Sequence, residues 1–274
     1  MNILSNNQSY IISNDIAKKI IRDFKSEIKE NRGPIQKLNQ MDYEYNKKVI
    51  YVDKLIDAVN LYDRENVVQK NTENIVVAYY GDPYVTIQII LSALFNCQRV
   101  NLVIDEMCFG VNKLIIELYK EILKEYRIKD IISLSSYLKK KDLEQKKGII
   151  DKVYCLGNKN LFNVYRDIKD LEITYIPFNN IDIFCEDEDL YEMAEDIFNV
   201  CFECGIEAEI FDDIDFNEAI NVLNNYGENY CSVILTRNKE YMKRFKNEVK
   251  SKFIFVNENP FSNYEIYRIP KIFG

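Results

Sequence analysis

Histidine and tryptophan are missing from the 274 residues, and glycine (8) and proline (5) are scarce. The lack of histidine excludes the most chemistry. It removes the commonest general base, the Ser–His and Cys–His nucleophile pairs, and the commonest metal ligand. Carboxylates, lysines, tyrosines and thiols are left to do any work. So few glycines leave little for a phosphate-cradling loop, and neither Gly-x-Gly-x-x-Gly nor Gly-x-x-x-x-Gly-Lys-Ser/Thr occurs. No apolar run approaches the roughly 18 residues of a membrane-spanning helix. The start, Met1-Asn-Ile-Leu-Ser-Asn-Asn-Gln8, has neither the basic end nor the apolar stretch of a signal peptide.

What is present describes a globular chain: 47% hydrophobic and 29% charged residues, with a net charge of −8. An acidic surface repels phosphate backbones, so nucleic acid is not an expected partner, and neither is a membrane. The cysteines, at 97, 108, 155, 185, 201, 204 and 231, are odd in number and scattered. That pattern reads as reduced thiols, and the expected location is the cytoplasm.

Along the chain, Ser13-Asn14-Asp15 offers helix caps before Ile16, Ile20, Ile21, Phe24 and Ile28, which recur at helical spacing. Gly33-Pro34 should break that helix, and a second amphipathic stretch runs near Val52 to Leu61. From residue 74 strands and helices alternate. Strands are predicted near 75–80, 100–104, 128–134, 149–155 and 171–176, with helices at 85–96, 111–126, 137–147 and 159–168. The apolar strands are continuous, the mark of a parallel sheet covered on both faces. The alternation resumes after Pro177-Phe178-Asn179-Asn180, with strands near 181–185, 206–211, 231–235 and 253–257 and helices at 187–204, 215–226 and 238–249. The predicted fold is therefore α/β: a Rossmann-like, mainly parallel sheet, then a smaller α/β lobe. The predicted domains are 1–178, the amino-terminal helices with a nucleotide-binding-like domain, and 179–274, a truncated catalytic-like domain.

Two turns, Gly81-Asp82-Pro83-Tyr84 and Gly157-Asn158-Lys159-Asn160, carry a strand sharply into a helix and could aim helix amides at an anion; both also read as ordinary βα turns. Cys201-Phe-Glu-Cys204 has the spacing of a redox pair or half a zinc site. It lies in the last turn before Gly205, where the negative end of the helix disfavours a thiolate, and no second pair or histidine completes a zinc site. A core role fits it better, and no metal site is expected. Glu186-Asp187-Glu188-Asp189 precedes a helix and reads as capping, and Lys139-Lys140-Lys141 as a solvated helix face.

The order of these segments resembles the aldehyde dehydrogenase superfamily, most closely the gamma-glutamyl phosphate reductase (glutamate-5-semialdehyde dehydrogenase) branch. Asn74-Ile-Val-Val-Ala-Tyr-Tyr-Gly-Asp-Pro-Tyr-Val-Thr86 is similar to its strand–turn–helix, where Tyr-x-x-Arg-Pro-Asn-Val-Thr occurs. Pro83, Val85 and Thr86 match, and Asp82 replaces the arginine. Leu156-Gly157-Asn158-Lys159-Asn160-Leu161 resembles the branch's Arg-Gly-Gly-Lys-Gly-Leu turn near the nicotinamide nucleotide. Ile214-Asp-Phe-Asn-Glu-Ala-Ile220, Asn225-Tyr-Gly227, Val233-Ile-Leu-Thr236 and Val256-Asn257-Glu-Asn-Pro-Phe261 follow the family order.

The resemblance implies a nucleotide domain followed by a thiol-catalysis domain, with NADP or NAD as cofactor and Gly157, Asn158, Lys159 and Pro83 as its contacts. It implies, as partner, a second copy or a related dehydrogenase subunit. Departures qualify the implication. The chain is shorter than family members, mostly after residue 205. The segment that approaches the nucleotide there is glycine-rich and cationic, and here it holds Asp105 and Glu106. In the register of the resemblance the nucleophilic cysteine falls on Ala208 or Glu209, neither of which forms a thioester. Two expectations follow: an inactive pseudoenzyme with a binding or assembly role, or an active NAD(P)-dependent oxidoreductase using Cys204 or Cys201 on an aldehyde or acyl phosphate.

Overall fold

The computed structural model describes residues 11–46, 50–68, 72–104, 109–129, 131–135, 138–157, 159–178, 180–204, 207–225 and 229–262. Contacts divide the chain into Met1–Ile176 with Ile269–Gly274 (unit 1) and Pro177–Arg268 (unit 2).

Unit 1 opens with three helices, α1 (Asn14–Glu30), α2 (Arg32–Asn46) and α3 (Val52–Asn60). Ser13 caps α1 by accepting from the Ile16 amide, and Ala17, Ile20, Ile21, Phe24 and Ile28 form its buried stripe. The expected break at Gly33-Pro34 is displaced. The first helix ends at Asn31, and Gly33 and Pro34 lie in the first turn of α2, where proline's missing N–H costs nothing.

Then come β1 (Asn74–Tyr79), α4 (Pro83–Phe95), β2 (Arg99–Ile104), α5 (Phe109–Glu125), β3 (Ile132–Ser135), α6 (Lys140–Lys146), β4 (Lys152–Leu156), α7 (Lys159–Tyr165) and β5 (Glu172–Ile176). All pairings are parallel, in the order β3-β2-β1-β4-β5. The strand predicted at 128–134 begins only at Ile132, because Arg127 (φ 60°) ends α5 in the left-handed region and residues 128–129 are a connector. One sheet face (Val76, Ala78, Val103, Val153, Cys155) packs with Leu138, Leu143, Ile150, Tyr165 and Ile168. On the other side α4 is buried on nearly every face, because α3 covers it from outside while α1 and α2 cover α5. Phe24 meets Tyr119 edge-on at 4.9 Å in that outer layer.

Unit 2 repeats the plan on a smaller scale: β6 (Asn180–Cys185), a 3₁₀ turn (Glu188–Leu190), α8 (Tyr191–Cys204), β7 (Glu207–Phe211), α9 (Phe216–Asn225), β8 (Asn229–Leu235), α10 (Lys239–Glu248) and β9 (Ser251–Val256). The sheet is parallel with order β7-β6-β8-β9. The helix predicted at 187–204 starts as the 3₁₀ turn because Asp187 caps that turn by accepting from the Asp189 amide. Phe184 and Ile234 pack under Phe216, Ala219, Ile220 and Leu223 of α9, Phe245 of α10 and Val249 at the end of α10. Among the described residues, Ala194, Ile197 and Cys201 of α8 are buried. The architecture is a mainly parallel α/β fold with helices on both sheet faces, followed by a smaller α/β unit, as the alternation predicts.

Candidate functional site

In a doubly wound sheet, ligands bind outside the carboxyl ends of the strands where the order reverses. In unit 1 that point lies between β1 and β4. β1 ends in Tyr80-Gly81-Asp82 and β4 in Gly157, so the two turns singled out by sequence stand side by side. Both glycines sit in the left-handed region (φ 82° and 67°), where a side chain would be strained. The Gly157 amide donates to Ile176 O at 2.9 Å and ties the second turn to β5.

The first turn is held from below. Pro83 is the first residue of α4, and Asp82, 8% exposed, caps the helix by accepting from the Tyr84 amide at 2.8 Å. Thr86 Oγ1 shares its one proton between Asp82 O (3.0 Å) and Asn112 Oδ1 and lies 2.5 Å from Tyr79 Oη, which can donate to it. The Asn112 amide in turn donates to Gly81 O. Three side chains, one each from β1, α4 and α5, together with the Asp82 cap thus lock one tight turn. Its chemistry matters for function. A phosphate arriving at the amino end of α4 would meet a buried carboxylate already bonded to a first-turn amide. Lys159 is the first residue of α7. Asn158, Asp105, Glu106 and Cys108 lie outside the described residues, as do the glycines at 205 and 227.

The equivalent point in unit 2 lies between β6 and β8. Thr236, 1% exposed, donates through Oγ1 to Glu186 Oε2 (2.6 Å) and accepts from the Asn238 amide (3.0 Å). Asn257 grips the Thr236 backbone from both sides, its Oδ1 accepting from the amide (2.9 Å) and its Nδ2 donating to the carbonyl (2.8 Å). Arg237 bridges Asp187 (3.4 Å) and Asp189 (2.7 Å). In the sequence Thr236 and Asn257 stand out only as matches to the family order. Glu186 and Arg237 joined them only in the fold, since nothing local signals a pair fifty residues apart.

The polar groups of this corner are spent on one another. From Asp170 to Thr236 the chain also contains no lysine or arginine, so the acids of β6, α8, β7 and α9 have no cation on their own elements. That charge distribution opposes an acyl phosphate.

Five thiols among the described residues are placed against nucleophilic use. Cys97, Cys155, Cys185, Cys201 and Cys231 are buried. Burial pushes Cys155 up to about 12 and raises Cys97, Cys185 and Cys231 above the ordinary thiol value. Cys201 is fully buried on the inner face of α8. Cys204 closes α8, and β7 begins at Glu207. Ala208 and Glu209 are therefore the second and third residues of a strand, in register with Ile181 and Asp182 of β6. Among the described residues no three Cys, Asp or Glu side chains are grouped to hold a metal ion, and no helix is long and apolar enough to cross a membrane.

Two parallel sheets with a reversed strand order and pinned βα turns define a doubly wound α/β fold. More particularly, the fold is that of the aldehyde dehydrogenase superfamily. It is similar to gamma-glutamyl phosphate reductase from Thermotoga maritima (TM-score 0.59, 15% identity, 97% of this chain and 87% of that one). It is also similar to an acetylating aldehyde dehydrogenase from Geobacillus thermoglucosidasius (0.66, 11%, 95% and 85%). A third match is glyceraldehyde-3-phosphate dehydrogenase from Methanocaldococcus jannaschii, complexed with NADP (0.62, 10%, 94% and 82%). No family model and no curated protein matches the sequence.

Proposed function

We propose that this protein is an aldehyde-dehydrogenase-fold pseudoenzyme that keeps the scaffold for a binding or assembly role and has lost nicotinamide-dependent thiol chemistry. The observation that carries the reading is Asp82. Its carboxylate occupies the amino end of α4 at the switch point, where the resembling branch has an arginine. Four other features support it: the histidine-free composition, the buried thiols, the cation-free stretch from 170 to 236, and the self-satisfied Glu186–Thr236–Asn257 corner.

Titration calorimetry with NADPH and NADH tests the reading directly. Weak or absent binding is expected, with Lys159 the natural phosphate contact for any residual affinity. Submicromolar affinity would overturn it.

One observation favours an active oxidoreductase instead. Cys204 is the last residue of α8, at the joint between helix and strand, whereas Ala208 and Glu209 lie inside β7. A nucleophile at that joint would attack an aldehyde or acyl phosphate. Mass-spectrometric mapping of iodoacetamide labelling, with NADPH oxidation assays on small aldehydes and acyl phosphates, separates the readings. Fast selective labelling of Cys204, with turnover abolished in Cys204→Ser, would establish the enzyme.

A further inference from the structure

The amino-terminal edge of the unit 1 sheet, opposite the end where a nucleotide would sit, carries polar side chains in a place that should be dry. Asn74 of β1 pairs in register with Arg99 of β2, and Asn101 of β2 with Ser133 of β3. Side chains alternate along a strand, so Asn74, Arg99 and Asn101 share the face of Val76, Ala78 and Val103, which carries an apolar core. Asn74 is 8% exposed, Arg99 5% and Asn101 4%.

The bonding there is incomplete. Asn101 Oδ1 accepts from Ser133 Oγ (2.6 Å) and Ser135 Oγ (3.4 Å), but its Nδ2 has no protein partner. The Asn74 amide donates to Asp151 Oδ2 (2.7 Å), but its side-chain Oδ1 has no partner, and neither has Thr72 Oγ1 just before it. Buried polar atoms left dry forfeit their full desolvation penalty, and native cores avoid this by pairing them or wetting them.

The left-over atoms specify what can satisfy them. Asn101 Nδ2 needs an acceptor, and Asn74 Oδ1 needs a donor. An anion would satisfy Asn101 but not the acceptor Asn74 Oδ1, whose own backbone amide is already bonded to the Asp151 carboxylate. A metal cation would satisfy Asn74 but would meet the amide hydrogens of Asn101 beside the Arg99 guanidinium. Water donates and accepts at once. We infer that this corner is a built hydration site, in which one or more ordered waters accept from Asn101 Nδ2 and donate to Asn74 Oδ1, with Thr72 Oγ1 sharing the chain. The site is independent of the functional reading above, because it lies at the other end of the strands.

Water–amide Overhauser spectroscopy on the isotope-labelled full-length protein tests it. Cross-peaks of long-lived water are expected at the side-chain amides of Asn101 and Asn74. Asn101→Leu should abolish the water signal at Asn74 and leave internal waters elsewhere untouched. Should that variant not fold, a high-resolution crystal structure of the unaltered protein gives the same answer. Water density within hydrogen-bonding distance of Asn101 Nδ2 and Asn74 Oδ1 supports the site. Direct bonding between the two carboxamides, an empty gap, or an ion in place of water overturns it.

Discussion

Asp182 sits in the middle of β6, the first strand of unit 2, between Glu209 of β7 and Ser232 of β8 in register. Burial chiefly, and then the Glu209 carboxylate, push its carboxyl up to about 7 from an ordinary 3.8. A raised carboxyl holds its proton more tightly in the folded chain than in the unfolded one. Folding stability is therefore undiminished below about pH 4 and falls as the pH climbs from there to about 7. At about 1.4 kcal/mol per tenfold change in proton affinity, the step from 3.8 to about 7 sets a ceiling of about 4 kcal/mol. Residual solvent contact and relaxation reduce that to about 2 kcal/mol.

Asp182→Asn removes the charge, keeps the shape, and places an amide where Glu209 can accept from it. The variant should be more stable than the unaltered protein by about 2 kcal/mol at pH 8.5 and within about 0.5 kcal/mol of it at pH 4.5. Urea unfolding followed by circular dichroism gives the global value. Peptide-level hydrogen exchange in β6 and β8 assigns the effect to unit 2. Equal differences at the two pH values, or a variant weaker at pH 8.5, would refute the reasoning.

Thr86→Val should cost about 2 kcal/mol in urea unfolding, because it strips a buried hydroxyl from Tyr79, Asn112 and Asp82 O at once, while Thr86→Ser should recover most of the loss. Asp82→Ala should cost about 1 kcal/mol by the same assay, through loss of the α4 cap. Phe245→Ala, on the buried face of α10, should cost about 3–5 kcal/mol, concentrated in hydrogen exchange of unit 2. Timed iodoacetamide labelling of the folded protein should leave Cys155, Cys201 and Cys231 unmodified until unfolding exposes them.

The strands were legible because parallel strands buried on both faces read as unbroken apolar runs, as in β1 and β2, both buried at every position. α2 was not. Its apolar positions are few, and Gly33-Pro34 at its start reads equally well as a stop or as a first turn; which it is depends on Asn31, whose amide hydrogen-bonds back to Glu27 O and closes α1 two residues before Gly33. The 3₁₀ turn before α8 escaped for a related reason, since acids that cap a helix also cap a turn, and only Asp187's bond to Asp189 decides between them.

The same division runs through the candidate site. Gly81, Pro83 and Gly157 announce themselves, because positive φ and a missing N–H are properties of single residues. What Asp82 does there is set by Thr86 one helical turn on, which is local, and by Asn112 on α5, which is not. Likewise, counting along a family pattern places a nucleophile at Ala208 or Glu209, yet the ladder with β6 puts both inside a strand and leaves Cys204 at the end of the helix. A register borrowed from a longer relative carries the relative's loop lengths with it. Only hydrogen bonding fixes where this chain's own helix stops and its strand begins, and here α8 ends at Cys204 and β7 begins at Glu207.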